Sequence, residues 1–350
     1  MKFLFLMVMA LGIISGSAFA DFSESDDSDL SGPRTFSDIG ESPSASLTAD
    51  SVESTPGTEP LTLEILREDH GKLLGVAELL VGGHPTDQSG RVILPACTGA
   101  SRKLQITLQN KYISIGNSSE IYYLAFEAAC TGTLKLKFHS DSVGGQALGI
   151  WQVAIRAKNK LEASIGLGFW KNTLPFVWPA DGDYYSWHEV HITRGDYWDV
   201  VGHEMGHGIY DMGNLGIFGG GPHKIDQCYS NAMAISEGWA TFFSGWVNLD
   251  LAEAKAHFEY LVPRRAPINI ETIPSDVCQG QTNEWRVAGF FWDIVDSHDD
   301  GETLEEPFSR VWGAMKNTRS ASTKEAMDHL KTAGIDSKQL DLVWALNFQN

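Results

Sequence analysis

The sequence predicts two unlike folded parts in one chain: an all-β sandwich over residues 61–160, then a mainly α (α+β) part over residues 161–350. Three observations carry this expectation. Residues 61–160 break into short, β-rich runs separated by Gly, Asp, Asn and Ser clusters. Several of these runs alternate apolar and polar residues, as at 103–108 and 133–138, the period of a half-buried strand. From Trp198 onward the apolar residues instead recur at three- and four-residue spacing, the period of a helix.

The chain opens with Lys2, a long apolar run and Ala18-Phe19-Ala20 before Asp21. That is the pattern of a signal peptide over residues 1–20, cleaved after an A-x-A site. The run is too short for a comfortable bilayer span and has no flanking basic stop. The expectation is therefore an exported protein, secreted or periplasmic, with no membrane anchor. Residues 21–60 are rich in Ser, Asp, Glu, Thr and Pro. Such a stretch buries too little apolar surface to offset ordering entropy, so a disordered leader or linker is expected. It has no His or Cys with which a masking propeptide could ligate a metal.

With 45 acidic against 26 basic residues, the formal net charge is −19. A charge of that sign argues against nucleic-acid or anionic-membrane partners. Residues 61–160 should form the sandwich, with the run at 150–157 as its last strand. This part is loosely similar to the Ig-like or transthyretin-like accessory modules of secreted enzymes, either a binding module or a purely structural one. An exported chain should have its four cysteines oxidised. Pairing Cys97 with Cys130 and Cys228 with Cys278 keeps each bridge within one part. The absence of C-x-x-C spacing argues against zinc binding by these thiols.

Residues 187–193 read as a strand. The stretch that follows, Trp198 to Asp211, contains His203, Glu204 and His207 in the order H-E-x-x-H. On a helix, positions four apart share a face, so both imidazoles can aim at one ion. Glu204, about a third of a turn away, can reach a water at that ion without being a ligand, the place of a general base. Asp196 is the candidate N-cap, with Asp199 three residues on. Trp198, Val201, Met205 and Ile209 should form the buried face, leaving the histidines to look into a cleft. Asp211, one turn beyond His207, is placed to hold a ligand histidine.

Residues 212–228 are Gly-rich and should form a loop, with His223 and Asp226 as spare ligands. Residues 230–246 read as a second helix, capped by Ser230 and almost wholly apolar or small. Its single charged residue is Glu237. A lone carboxylate on a buried helix is costly without a cation, so Glu237 is the expected third ligand. Gly238 would permit close helix approach.

HEMGH at 203–207 and SEGWATFF at 236–243 together resemble the gluzincins, zinc metallopeptidases that combine HExxH with a glutamate on a following helix. The likeness covers roughly residues 183–300. It implies a zincin-like catalytic part that hydrolyses peptide bonds with one catalytic zinc on His203, His207 and Glu237 and Glu204 as base. It also implies antiparallel ligand helices, and an edge strand before the HExxH helix on which an extended substrate lies. The pattern is not that of a metzincin, since Tyr210 and Gly213 stand where that family has glycine and histidine. The thermolysin-type N-E-x-x-S-D is also missing.

The C-terminal runs are helical, with Ser322 and Glu325 as a capping box and Asp336 with Gln339 as a similar start. His298 is a candidate oxyanion donor, as are Tyr210, Tyr229 and Tyr260. Asp296, Asp299, Asp300 and Glu302 could instead take calcium or form a solvated turn. The expected partner is a peptide or protein substrate. Two other readings are a secreted binding protein with a structural zinc site and a zinc hydrolase of a non-peptide substrate.

Overall fold

The computed structural model describes residues 47–349 apart from 118 and 300. The signal sequence and residues 21–46 of the leader lie outside these. A β-rich region is followed by a mainly helical one, as the fold-class expectation has it.

The long strand Ser51–Asp69 is the hub of the first sheet. It pairs antiparallel with Lys72–Gly75 and Arg91–Leu94, and parallel with Thr131–Phe138. Its first ten residues fall in the stretch expected to be linker. They can pair because strand hydrogen bonding uses the backbone and needs no apolar side chains. The second sheet is antiparallel throughout, in the order His84–Pro85, Leu80–Val81, Ser101–Thr107, Tyr123–Ala129. Alternate residues Leu61, Leu63 and Ile65 of one sheet and Leu104, Ile106 and Leu124 of the other are buried. The expected bridge Cys97–Cys130 is formed.

The run at 150–157 is not a strand. It lies inside helix α1, Val143–Ile165, whose N-cap Ser142 accepts a hydrogen bond from the Gly145 N–H at 3.1 Å. Ile150, Trp151, Val153, Ala154, Ile155 and Ala157 are all buried. Burial on more than one side makes the apolar pattern nearly continuous and hides the helical period. α1 also runs across residue 160, where the sequence places the boundary between the two parts.

A third sheet has the order Tyr184–Ser186, Glu189–His191, Leu174–Val177, Ile113–Gly116. The expected strand at 187–193 is thus a three-residue strand with a neighbour on each side, and the edge beside it is Tyr184–Ser186. Trp187 and His188 form the hairpin tip, both in the left-handed region at φ 51° and 65°. Two such residues in succession match a two-residue hairpin loop.

The helical region consists of α2 (Trp198–Gly213), α3 (Asn231–Asn248), α4 (Glu284–Val295), α5 (Phe308–Met315), α6 (Thr323–Thr332) and α7 (Ser337–Phe348). Ser230, Ser322 and Asp336 cap α3, α6 and α7 as expected. Asp196 does not cap α2. Its carboxylate takes both arms of Arg194, at 2.9 and 2.6 Å, and Tyr197 holds the cap position. Asp199 is buried and accepts from the backbone N–H groups of Glu259, Tyr260 and Leu261 at 2.7, 2.7 and 3.1 Å. It therefore fastens the start of α2 to a distant segment. Among the described residues no helix is long and apolar enough to cross a membrane.

Candidate metal centre

Glycines let α2, α3 and α4 approach closely enough to share one site. A Cβ on Gly202 would lie 2.4 Å from Ser244 Oγ, and one on Gly206 would lie 2.9 Å from Ala240 Cα. Rising numbers on α2 thus meet falling numbers on α3, and the two helices run antiparallel. On the other side of α3, a Cβ on Gly238 would lie 2.5 Å from Val287 Cβ, and Gly245 faces Trp292. α4 therefore runs parallel to α3, with its N-terminal end beside Glu237.

This stack brings His203, His207 and Glu237 together. His203 Nε2 and His207 Nε2 are 3.2 Å apart, and Glu237 Oε2 lies 3.2 and 3.1 Å from them. A tetrahedral zinc with ligand distances of about 2.0 Å needs donor atoms about 3.3 Å apart. The triangle fits one ion of that size. The other oxygen of Glu237, Oε1, has no hydrogen-bond partner among the described residues. His203 Nδ1 lies 3.0 Å from Thr241 Oγ1, so its other nitrogen is held on the cluster. Burial holds the His203 imidazole down at about 4, against the opposing pull of Glu237, so it is neutral at pH 7. Neutral imidazole is the form that ligates metals. Burial pushes the Glu237 carboxyl up, but His207, His223 and His203 together outweigh it and hold it well below the usual carboxylate range.

The site is not an open cleft. His203, Glu204 and Glu237 are 0 % exposed and His207 is 2 % exposed. Phe218, from the Gly-rich segment, packs over it, with ring centroids 6.4 Å from His207 and 5.3 Å from Tyr210. A Cβ on Gly219 would lie 2.1 Å from Met233 N, and one on Gly216 would lie 1.8 Å from the Tyr210 hydroxyl. The absence of side chains lets the segment lie flat on α2 and α3.

Of the two spare ligand candidates, His223 is buried at the cluster, with Nε2 3.8 Å from Glu237 Oε2 and 3.0 Å from Glu284 Oε2. Burial opposes charge on His223, yet Glu284 and Glu237 outweigh it and push its imidazole up to about 11. Asp226 is elsewhere, paired with Arg264 at 2.9 Å. The expected bridge Cys228–Cys278 is formed, and Asn283, the cap of α4, donates to the carbonyls of Ile225 and Gln227 at 2.8 and 2.9 Å. These links hold the His223 segment against the end of α4 that carries Glu284.

Asp211 does not hold a ligand histidine. Tyr185 donates to its Oδ2 at 2.7 Å and His188 Nδ1 lies 2.9 Å away, so it secures the hairpin. His298 is not brought to the cluster. It follows α4, whose twelve residues span roughly 18 Å, and Glu284 at the opposite end is the residue beside His223. His298 groups instead with Glu271 and Asp296. Of the acidic residues considered for calcium, Asp296 and Glu302 are buried, Asp299 is exposed, and Asp300 lies outside the described residues. Tyr260 stacks on Tyr197 at 4.5 Å, Tyr229 accepts from Lys224 N at 2.8 Å, and Tyr210 is buried with a hydroxyl that has no hydrogen-bond partner among the described residues.

Two residues of the centre escaped the sequence reading. Thr241 stands four residues after Glu237, on the same helical face, a spacing that could have drawn attention to it. Glu284 opens an otherwise apolar helix, but acidic residues are common in a first turn because they suit the helix dipole. No protein-family model matches the chain, and no curated protein matches it. The likeness to gluzincins therefore rests on the two motifs and on the cluster their side chains form.

Proposed function

We propose that this protein is an exported zinc-dependent peptidase of gluzincin type. The observation that carries the reading is the near-equilateral triangle of His203 Nε2, His207 Nε2 and Glu237 Oε2, with sides of 3.1–3.2 Å, set beside Glu204 in H-E-x-x-H order. A zinc ion held by these three residues would supply Lewis acidity, polarising a carbonyl and acidifying water to a pKa near 7. Glu204 takes the proton of the attacking water and delivers it to the leaving amine. Thr241 keeps His203 in the tautomer that turns Nε2 toward the ion. Tyr184–Ser186 is the edge of its sheet, the place where an extended peptide would add as a further strand. The Gly-rich segment that carries Phe218 must move for a substrate to reach the cluster. The two disulfides point to an extracellular or otherwise oxidising compartment, which agrees with export by residues 1–20.

Complete burial of the cluster favours a second reading, a binding protein with a structural metal. One experiment separates the two: cleavage of a mixed peptide library by wild type and by Glu204→Gln at matched zinc content. The peptidase reading requires cleavage by wild type that falls by about 10²–10⁴ in the variant. If both proteins hold zinc and neither cuts, the peptidase reading fails and the structural-metal reading takes its place.

A further inference from the structure

We propose that a second divalent metal ion binds beside the first, held by His223, Glu284 and Glu237, so that Glu237 serves two ions. The inference rests on the first cluster being a metal site, and not on peptide cleavage.

Three observations carry it. The first is geometry. One donor atom from each of these three residues lies within 4.8 Å of the others, as in the first cluster, and all three side chains are buried. Imidazole with two carboxylates suits zinc and its first-row neighbours. The second is hydrogen-bond accounting. His223 Nδ1 lies 2.9 Å from the Gly221 carbonyl oxygen, which can only accept, so Nδ1 carries a hydrogen. Nε2 is then the nitrogen turned toward Glu284 and Glu237, the arrangement of a ligand histidine whose orientation is set by its other nitrogen. Among the described residues, no group apart from His223 donates to either oxygen of Glu284, and Glu237 Oε1 has no hydrogen-bond partner.

The third is charge. Glu237 and Glu284 are 0 % and 2 % exposed, and among the described residues their only ion-pair partners are histidines. The nearby Arg286 is turned away, donating to the carbonyls of Cys278 and Asn347 at 2.9 and 2.7 Å. With Glu204, three carboxylates are buried in this part of the molecule. Carboxylates buried this deeply are costly unless a cation pairs with them. The segment bearing His223 is tied to the start of α4 by Asn283 and by the Cys228–Cys278 bridge, so the three residues are already gathered.

The test is metal stoichiometry. The full mature chain, stripped with a chelator, is titrated with zinc, and bound metal is counted after gel filtration. We expect two zinc ions per chain for wild type, and one for Glu284→Gln and for His223→Ala. Anomalous scattering at the zinc edge from wild-type crystals reads the same quantity without relying on the folding of any variant, and should show two peaks, both beside Glu237. A single ion that persists in Glu284→Gln and is lost in His203→Ala would overturn this inference and leave the proposed function standing. No bound zinc in wild type would overturn both.

Discussion

At the scale of single residues, Thr241 makes a prediction separable from catalysis itself. Its hydroxyl lies 3.0 Å from His203 Nδ1, and it approaches from the same helix that carries Glu237. Valine has nearly the same shape without the oxygen. Thr241→Val should therefore keep the fold while weakening zinc binding by about 10–100-fold, the usual cost of losing such a partner. Competition against a chelator of known affinity measures this directly. Unchanged affinity would mean that packing alone orients the imidazole. Glu204→Gln, by contrast, should hold zinc as wild type does, because that carboxylate is not among the three grouped donors.

At the scale of elements, the metal cluster depends on how closely α2 approaches α3. Gly202 and Gly206 lie one turn apart on the α2 face that meets α3, and His203 and His207 follow each of them. A methyl group on Gly206 would press on the Ala240 backbone at 2.9 Å, and a backbone neighbour cannot swing aside as a side-chain tip can. Gly206→Ala should cost about 1–3 kcal/mol through overpacking, offset by a helix-propensity gain below about 1 kcal/mol. It should also weaken zinc binding by moving both histidines away from Glu237. Denaturant melts and a zinc titration of the variant would check the two effects separately. Gly208 is a useful contrast. Its Cβ would meet side-chain atoms of Leu174 and Tyr185 at 3.3 Å, which have some room to give. Alanine there should be tolerated better.

At the scale of the whole molecule, a metal that binds the folded chain alone stabilises it by mass action. At free zinc about 1,000 times the dissociation constant, the gain is about 4 kcal/mol. Stripping the metal should therefore lower the melting temperature by several degrees, and restoring zinc should recover it. The effect should exceed that of an ordinary surface ligand, because removal leaves Glu237 and Glu284 buried beside histidines alone. Calorimetry on stripped and reloaded protein reads this, and identical melts would argue that no metal is bound in the core. The disulfides Cys97–Cys130 and Cys228–Cys278 limit the unfolded chain independently of metal, so the comparison belongs under non-reducing conditions.

Some of this was legible in the sequence, and the pattern of what was not has a physical basis. The spacing of His203 and His207 by four residues carries its own geometry, because a helix places such residues on one face wherever it sits. The isolation of Glu237 in an apolar run likewise announced a buried charge in need of a cation. Cysteine pairing followed from which part of the chain each residue belonged to. These are local properties, or consequences of burial read from local composition.

Tertiary structure alone decided the rest. Whether Asp211 serves a histidine or a hairpin depends on which strand packs beside α2, and only the sheet order places Tyr185 and His188 there. The run at 150–157 is helical because it is buried on more than one side, a fact its own residues express only as a loss of period. His298 and Glu284 stand at the two ends of one helix, and sequence distance does not say which end meets the site. The chain itself determined that a His–His–Glu set existed. Close packing of α2, α3 and α4 through Gly202, Gly206 and Gly238 decided that Glu284 would stand beside it, and the segment carrying Phe218 and His223 decided that it would be closed over. Helical periodicity is a short-range constraint that each residue carries with it, whereas the approach of one element to another is settled by the whole core at once.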